Sequence, residues 1–126
     1  MINKQYNYKN VLKDKANHLA HQGYDLTFKF PKEELYCLTS QLRRSLISVP
    51  SNIIEGYSRN NKKEFLHFMK FSYASLSEAK YQMNFAIERG YITNRECEFF
   101  LVTAEEVSKM LWSSMDTLRK NIDSSH

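Results

Sequence analysis

Between Gln41 and Arg59 the chain reads QLRRSLISVPSNIIEGYSR, and Leu42, Leu46, Val49, Ile53 and Tyr57 recur three or four positions apart. That period gathers them on one face of an α-helix and excludes an alternating strand. Pro50 interrupts the stripe. Inside a helix, proline removes a backbone donor and crowds the carbonyl four residues earlier, at a cost of about 3 kcal/mol or more. A segment that keeps its helical stripe through such a residue breaks a local rule, and such breaks concentrate where structure or function needs something special.

The helical period extends through most of the chain. A first helix is expected over about residues 10–28, with Leu12, Ala16, Leu19, Ala20 and Gly23 on one face, after a polar lead-in at 1–9. Phe30-Pro31 ends it, because the residue before a proline avoids the α region. Pro31, Glu33 and Glu34 suit the start of a second helix, over about 32–58. Arg59-Asn60-Asn61 reads as a turn, and a third helix follows over about 61–89. Its stripe is Phe65, Phe68, Met69, Ser72, Leu76, Ala79, Met83 and Ala86, and Gly90 is placed to close it as a left-handed cap. Thr93-Asn94-Arg95-Glu96 has the spacing of a capping box for a fourth helix, over about 94–120. Phe100, Thr103, Val107, Met110, Leu111, Ser114 and Leu118 make its stripe, and Asn121–His126 a frayed tail. With three glycines and two prolines in 126 residues, little else breaks the helices. The expected fold is all-α: one domain over residues 1–126, an up-down-up-down antiparallel four-helix bundle with its second helix kinked at Pro50.

The N-terminus, MINKQYNYKN, lacks the apolar core of a signal peptide. No stretch approaches the ~20 apolar residues that span a bilayer, so no membrane partner is expected. A cytoplasmic protein follows, with Cys37 and Cys97 as reduced thiols. Two isolated cysteines match neither a zinc site nor a redox pair.

Several helices carry a second apolar face: Tyr36, Ile47 and Ile54 on the second, Phe71, Ala74, Tyr81 and Phe85 on the third, Trp112 and Met115 on the fourth. Eight Phe and eight Tyr are hard to enclose in one small core. Self-association would cover them, since aromatics and methionine are enriched at interfaces. A generous core with scattered surface aromatics is the plainer alternative.

The Gln41–Arg59 segment resembles the signature of the S23, or 23S rRNA intervening-sequence, four-helix-bundle proteins, whose pattern is close to QLRRAAxSIPxNIAEGxGR. The preceding FPKEELYCLTSQ is similar too, with Cys37 where glycine is common. EFLHFMKFSYASLSEAKYQ, with Ser75 and Glu78, resembles the family's segment after the signature. The similarity is good from about residue 28 to 92 and looser in the first and fourth helices. It implies an up-down bundle and a cyclic pentamer. Some members are encoded within inserts in 23S rRNA genes. A related branch comprises accessory proteins of diversity-generating retroelements, which partner a reverse transcriptase and bind nucleic acid.

Antiparallel geometry lets the charges be sorted. With the turn near Asn60-Asn61, residues of the second and third helices whose numbers sum to about 121 lie at one height. Arg43 then shares a level with Glu78, and the two are expected to pair, within one bundle or between subunits. The carbonyl of Leu46, freed by Pro50, needs a donor, with Ser48, Ser51 and Asn52 nearby. Gly56 allows close backbone approach. Arg43, Glu78, Pro50, Asn52, Glu55 and Gly56 thus form the expected structural or assembly set; the kink alternatively lines a polar ligand pocket.

One end of the bundle collects Lys4, Lys9, Lys13, Lys15, Arg59, Lys62, Lys63, Arg119 and Lys120, nine cations against five acids. The other end carries Lys29, Lys32, Arg89 and Arg95 against six acids. In a parallel ring the basic ends would add up on one face, where phosphate backbones bind by counterion release. The expected nucleic-acid contacts are Lys9, Lys13, Arg59, Lys62, Lys63, Arg119 and Lys120.

Enzyme readings are weaker. No phosphate-binding glycine loop or nucleophile motif is present. His18 and His21 are three apart with only Asp14 and Asp25 as local acids, which is no recognised ligand pattern. No catalytic residue, metal or cofactor is expected. The reading is a non-enzymatic homo-oligomeric scaffold that binds RNA, DNA or a nucleoprotein, a reverse transcriptase being one such partner. The alternative is a protein adaptor working through exposed aromatics around Trp112 and Phe85.

Overall fold

The computed structural model describes residues 4–124, with side chains described from residue 8. Four α-helices form the molecule: α1 (Lys4–Leu26), α2 (Ser40–Tyr57), α3 (Lys62–Glu88) and α4 (Glu98–Ser124). Among the described residues there is no strand. The helices form an antiparallel ring in which α1 and α3 each pack on α2 and α4.

Burial follows the sequence stripes, with shifts. On α1, Leu12, Ala16, Leu19, Ala20 and Gly23 are all buried. Gly23 has to be small, since a Cβ there would lie 2.7 Å from Leu46 and 2.9 Å from Phe100. On α3 the core side begins at Leu66 and includes Gln82, while Phe65 and Phe68 are only half-buried. On α4, Ala104 and Met115 are buried where Met110 and Ser114 were expected. Phe100, Ala104, Val107, Leu111, Met115 and Leu118 advance by threes and fours, the spacing of a bundle seam, with Thr103 buried beside them. Fully burying each such side chain contributes about 1.5–3 kcal/mol.

The helix ends show why the chain turns where it does. Asn61 caps α3, its side chain accepting from the Glu64 amide at 2.8 Å. Gly90 closes α3 at φ +78, with the Gly90 amide donating to Ile87 and the Tyr91 amide to Ala86. The Thr93–Glu96 capping box forms reciprocally: the Thr93 amide donates to the Glu96 carboxylate at 3.0 Å and the Glu96 amide to the Thr93 hydroxyl at 3.1 Å.

Four boundaries differ from expectation. α4 begins at Glu98 rather than near residue 94, after a turn at residues 94–97 that the Thr93–Glu96 box closes. α1 begins at Lys4 rather than near residue 10, and the Tyr8 hydroxyl ties that turn to the Met110 carbonyl of α4 at 2.7 Å. α4 runs to Ser124 because Ile122 still packs on the core. Lead-in residues 1–3 and tail residues 125–126 lie outside the described residues. Between α1 and α2 the chain forms 3-10 turns at Thr27–Lys29 and Lys32–Glu34 and a π turn at Leu35–Thr39, not a uniform α-helix from residue 32. In that stretch the Glu34 carboxylate accepts from the Leu38 amide and from the Tyr91 hydroxyl, which holds the wider turn to the α3–α4 loop.

Pro50 lies buried within α2, which continues on both sides of it. The hydroxyl and amide bonds around it go to carbonyls other than that of Leu46. Asn52 donates to Ser48 at 2.9 Å, and Ser72 reaches across from α3 to the Val49 carbonyl at 2.8 Å. Gly56 lets α3 come close: a Cβ there would lie 2.8 Å from Met69 and 3.2 Å from the Phe68 Cβ. Among the described residues no helix is long and apolar enough to cross a membrane.

Candidate functional site

The start of α1, the end of α2, the start of α3 and the end of α4 meet at one end of the bundle, as the antiparallel order requires. The cations expected there divide into two groups. Arg59 pairs with Glu55 and lies 4.7 Å from the Phe68 ring centroid, and Lys120 pairs with Asp116 at 3.0 Å. Lys62, Lys63 and Arg119 are exposed and Lys13 is half-buried. Among the described residues no carboxylate forms an ion pair with any of these four. Lys15 turns instead to Glu106 on α4. The Lys4 side chain lies outside the described residues.

Lys9 has a different setting. Its ammonium lies 5.3 Å from the centroids of both Tyr57 and Phe65, whose rings meet edge to face at 5.6 Å. The Tyr57 hydroxyl donates to the Lys9 carbonyl at 3.1 Å, so the same residue anchors the ring that it covers. Burial raises the Tyr57 phenol above its ordinary range, and raises Tyr8 likewise. Both are protonated donors at neutral pH. Beside them opens a groove of about 550 Å³, which Lys62 and Phe65 line from α3 and Ser114, Thr117 and Asn121 from α4. The sequence reading missed these polar α4 residues. The height rule that sorted the charges would have placed them here had it been applied to uncharged side chains.

The opposite end is held by bonds between loops. Lys29 pairs with Glu96 at 2.5 Å, and the Tyr91 hydroxyl donates to Glu34 at 2.7 Å. The Lys29 ammonium and the two Thr93 hydrogen bonds lower the Glu96 carboxyl to about 2. Cys97 beneath it is buried, and desolvation reinforced by the Glu96 charge raises its thiol to about 11.

Arg43 and Glu78 do not pair within the chain. Arg43 points toward α1: its Nε donates to the Thr27 hydroxyl at 2.8 Å, and its guanidinium lies 4.3 Å from the Tyr24 ring and 4.8 Å from Phe28. Glu78 is exposed on α3 and accepts from Gln82 at 3.2 Å. The height rule itself holds, since Val49 and Ser72, whose numbers also sum to 121, are hydrogen-bonded. Within one chain the two residues face different neighbours, Arg43 the α1 side and Glu78 the Gln82 side chain on α3 itself. His18 and His21 also part, into the α1–α4 and α1–α2 grooves respectively. Among the described residues no three His, Cys, Asp or Glu side chains gather as a metal-ligand set.

Outside the core, large apolar side chains remain in the open. Ile47 is 52% exposed, Ile54 53%, Tyr81 65% and Trp112 53%. A second groove, about 400 Å³, runs between α1 and α2 past Tyr24, Ile47, Pro50 and Ile54. Met115, expected on this outer face, is in the core at 4% exposure.

The architecture is thus an antiparallel four-helix bundle with a basic, grooved end and exposed apolar side chains on α2, α3 and α4. Residues 9–113 match the family model of the 23S rRNA-intervening sequence protein, and the chain belongs to that family. Its fold is similar to the crystal structure of a protein of unknown function from the S23 ribosomal protein family of Bacteroides thetaiotaomicron. The two are 24% identical, with a TM-score of 0.79, over 86% of this chain and 98% of that one. No curated protein matches the sequence.

Proposed function

We propose that this protein is a non-enzymatic scaffold whose copies assemble side by side, as a pentamer on the family resemblance, and dock nucleic acid or a nucleoprotein on their basic ends. The observation that carries the reading is the group of Lys13, Lys62, Lys63 and Arg119, which no carboxylate within the described residues neutralises. Such a surface attracts phosphate backbones without reading sequence.

Assembly is supported by the exposed apolar side chains of α2, α3 and α4 and by Arg43, which faces aromatic rings rather than an acid. If the α1–α2 face of one copy packs on α3 of the next, Arg43 can meet Glu78 between subunits. Two unpaired cysteines, Cys37 and Cys97, suit a reducing compartment such as the cytoplasm.

The test is fluorescence anisotropy with labelled RNA and DNA across a salt series. Affinity should fall steeply as salt rises, and joint Lys62→Glu and Lys63→Glu substitution should weaken binding about tenfold or more. Binding that is indifferent to salt would refute the reading. The exposure of Trp112 favours a second one, a protein adaptor. Capture of a protein partner that survives charge reversal at Lys62 and Lys63 but fails in Trp112→Ala would select it.

A further inference from the structure

We infer that the groove at the basic end is a pocket for one unpaired nucleotide, with its phosphate on Lys9 and Lys62 and its base against the Tyr57 and Phe65 rings. The inference rests on the nucleic-acid reading and gives it a strand preference that a basic surface alone lacks.

The lining carries the argument. At about 550 Å³ the groove falls within the range of small-molecule sites, roughly 300–1,000 Å³. Among the described residues it presents two ammonium groups, aromatic rings, hydroxyls and the Asn121 carboxamide, and no carboxylate lines it. An anion entering it therefore meets no like charge in the walls. Among the described residues, Lys9 meets the two rings beneath it and no carboxylate pairs with it. Such a cation–π contact contributes about 0.5–2 kcal/mol, and a phosphate is a stronger partner for the same ammonium. As Lys9 turns to the phosphate, it uncovers ring surface on which a base can stack. The rings are already oriented, since Tyr57 is tied through its hydroxyl to the Lys9 carbonyl and meets Phe65 edge to face. Thr117 and Asn121 supply donors and acceptors for the base edge. A base held in a duplex cannot enter such a groove without leaving its stack, whereas a base in a single strand can.

The test compares a labelled single-stranded decamer with the same decamer in a blunt duplex, at one salt concentration. Stacking of one base predicts about tenfold tighter binding of the single strand. Thr117→Trp, at an exposed position on the groove wall, should abolish that preference; Ser113→Phe is the second filling variant should the first lose its helical melt. Adenosine monophosphate should displace the single strand at concentrations where inorganic phosphate does not. Equal affinity for the two forms, a preference that survives filling, or equal competition by the two anions would overturn the pocket and leave the basic-end reading standing. Absence of binding to either form would remove both.

Discussion

The guanidinium of Arg43 rests on Tyr24 and Phe28 and holds the Thr27 hydroxyl, which itself donates to the Tyr24 carbonyl at 2.6 Å. That arrangement depends on a flat cation. Lysine keeps the charge but loses the ring overlap and the directed Nε bond. Arg43→Lys should therefore cost about 1–2 kcal/mol in urea unfolding. A variant as stable as the parent would show that the stack contributes nothing. Gly56 poses the opposite problem, too little room. Leucine there would have to displace Met69 and press on the Phe68 Cβ. Overpacking of this kind costs about 1–3 kcal/mol, and a shifted denaturation midpoint with an unchanged slope would register it. The need for a small residue at 56 was legible in the signature. The orientation of Arg43 was not, because one residue turns a helix by about 100°, and the neighbour that a side chain meets depends on the ring order of the helices.

Among the elements, the turn that leads into α4 is closed by a capping box that is also a charge site. Glu96 has a folded-state pKa of about 2 against an ordinary 4.5. Its contribution to stability is therefore present above about 4.5 and is lost as the pH falls through about 2. In Glu96→Gln that part of the pH dependence should vanish, so the gap between the two proteins' melting temperatures should be constant above 4.5 and close as the pH falls toward 2. Parallel curves over the whole range would show that Glu96 is not the titrating group. The box was readable because it is a local bond pattern between residues three apart. The π turn at Leu35–Thr39 left no such trace. Its wider winding is held by Glu34, which also binds Tyr91 from a distant loop, and a window of five residues does not reveal that contact. The α4 stripe was legible in period and at Phe100, Thr103, Val107, Leu111 and Leu118, but not at Met110 and Ser114. Met110 and Met115 are equally apolar, and only the position of α1 and α3 decides which faces inward.

For the molecule as a whole, the uncovered Ile47, Ile54, Tyr81 and Trp112 set a measurable expectation. Mass by light scattering should exceed that of one 15.0 kDa chain. If Arg43 and Glu78 meet between copies, Arg43→Ala and Glu78→Ala should each lower that mass, and the double variant should be no worse than the more severe single one. Additive losses would place the two residues in separate contacts. A monodisperse single chain would overturn the assembled scaffold altogether. The even number of helices has a topological consequence of its own. α1 enters the bundle at the level where α4 leaves it, beside the groove and its lysines. Any segment joined ahead of α1 or behind α4 is thereby tethered at the mouth of that groove and competes with whatever approaches it. Purification tags and fluorescent fusions inherit the same address. A label intended to leave the basic end unobstructed belongs at the far pole, between α3 and α4 or in the turns that follow α1.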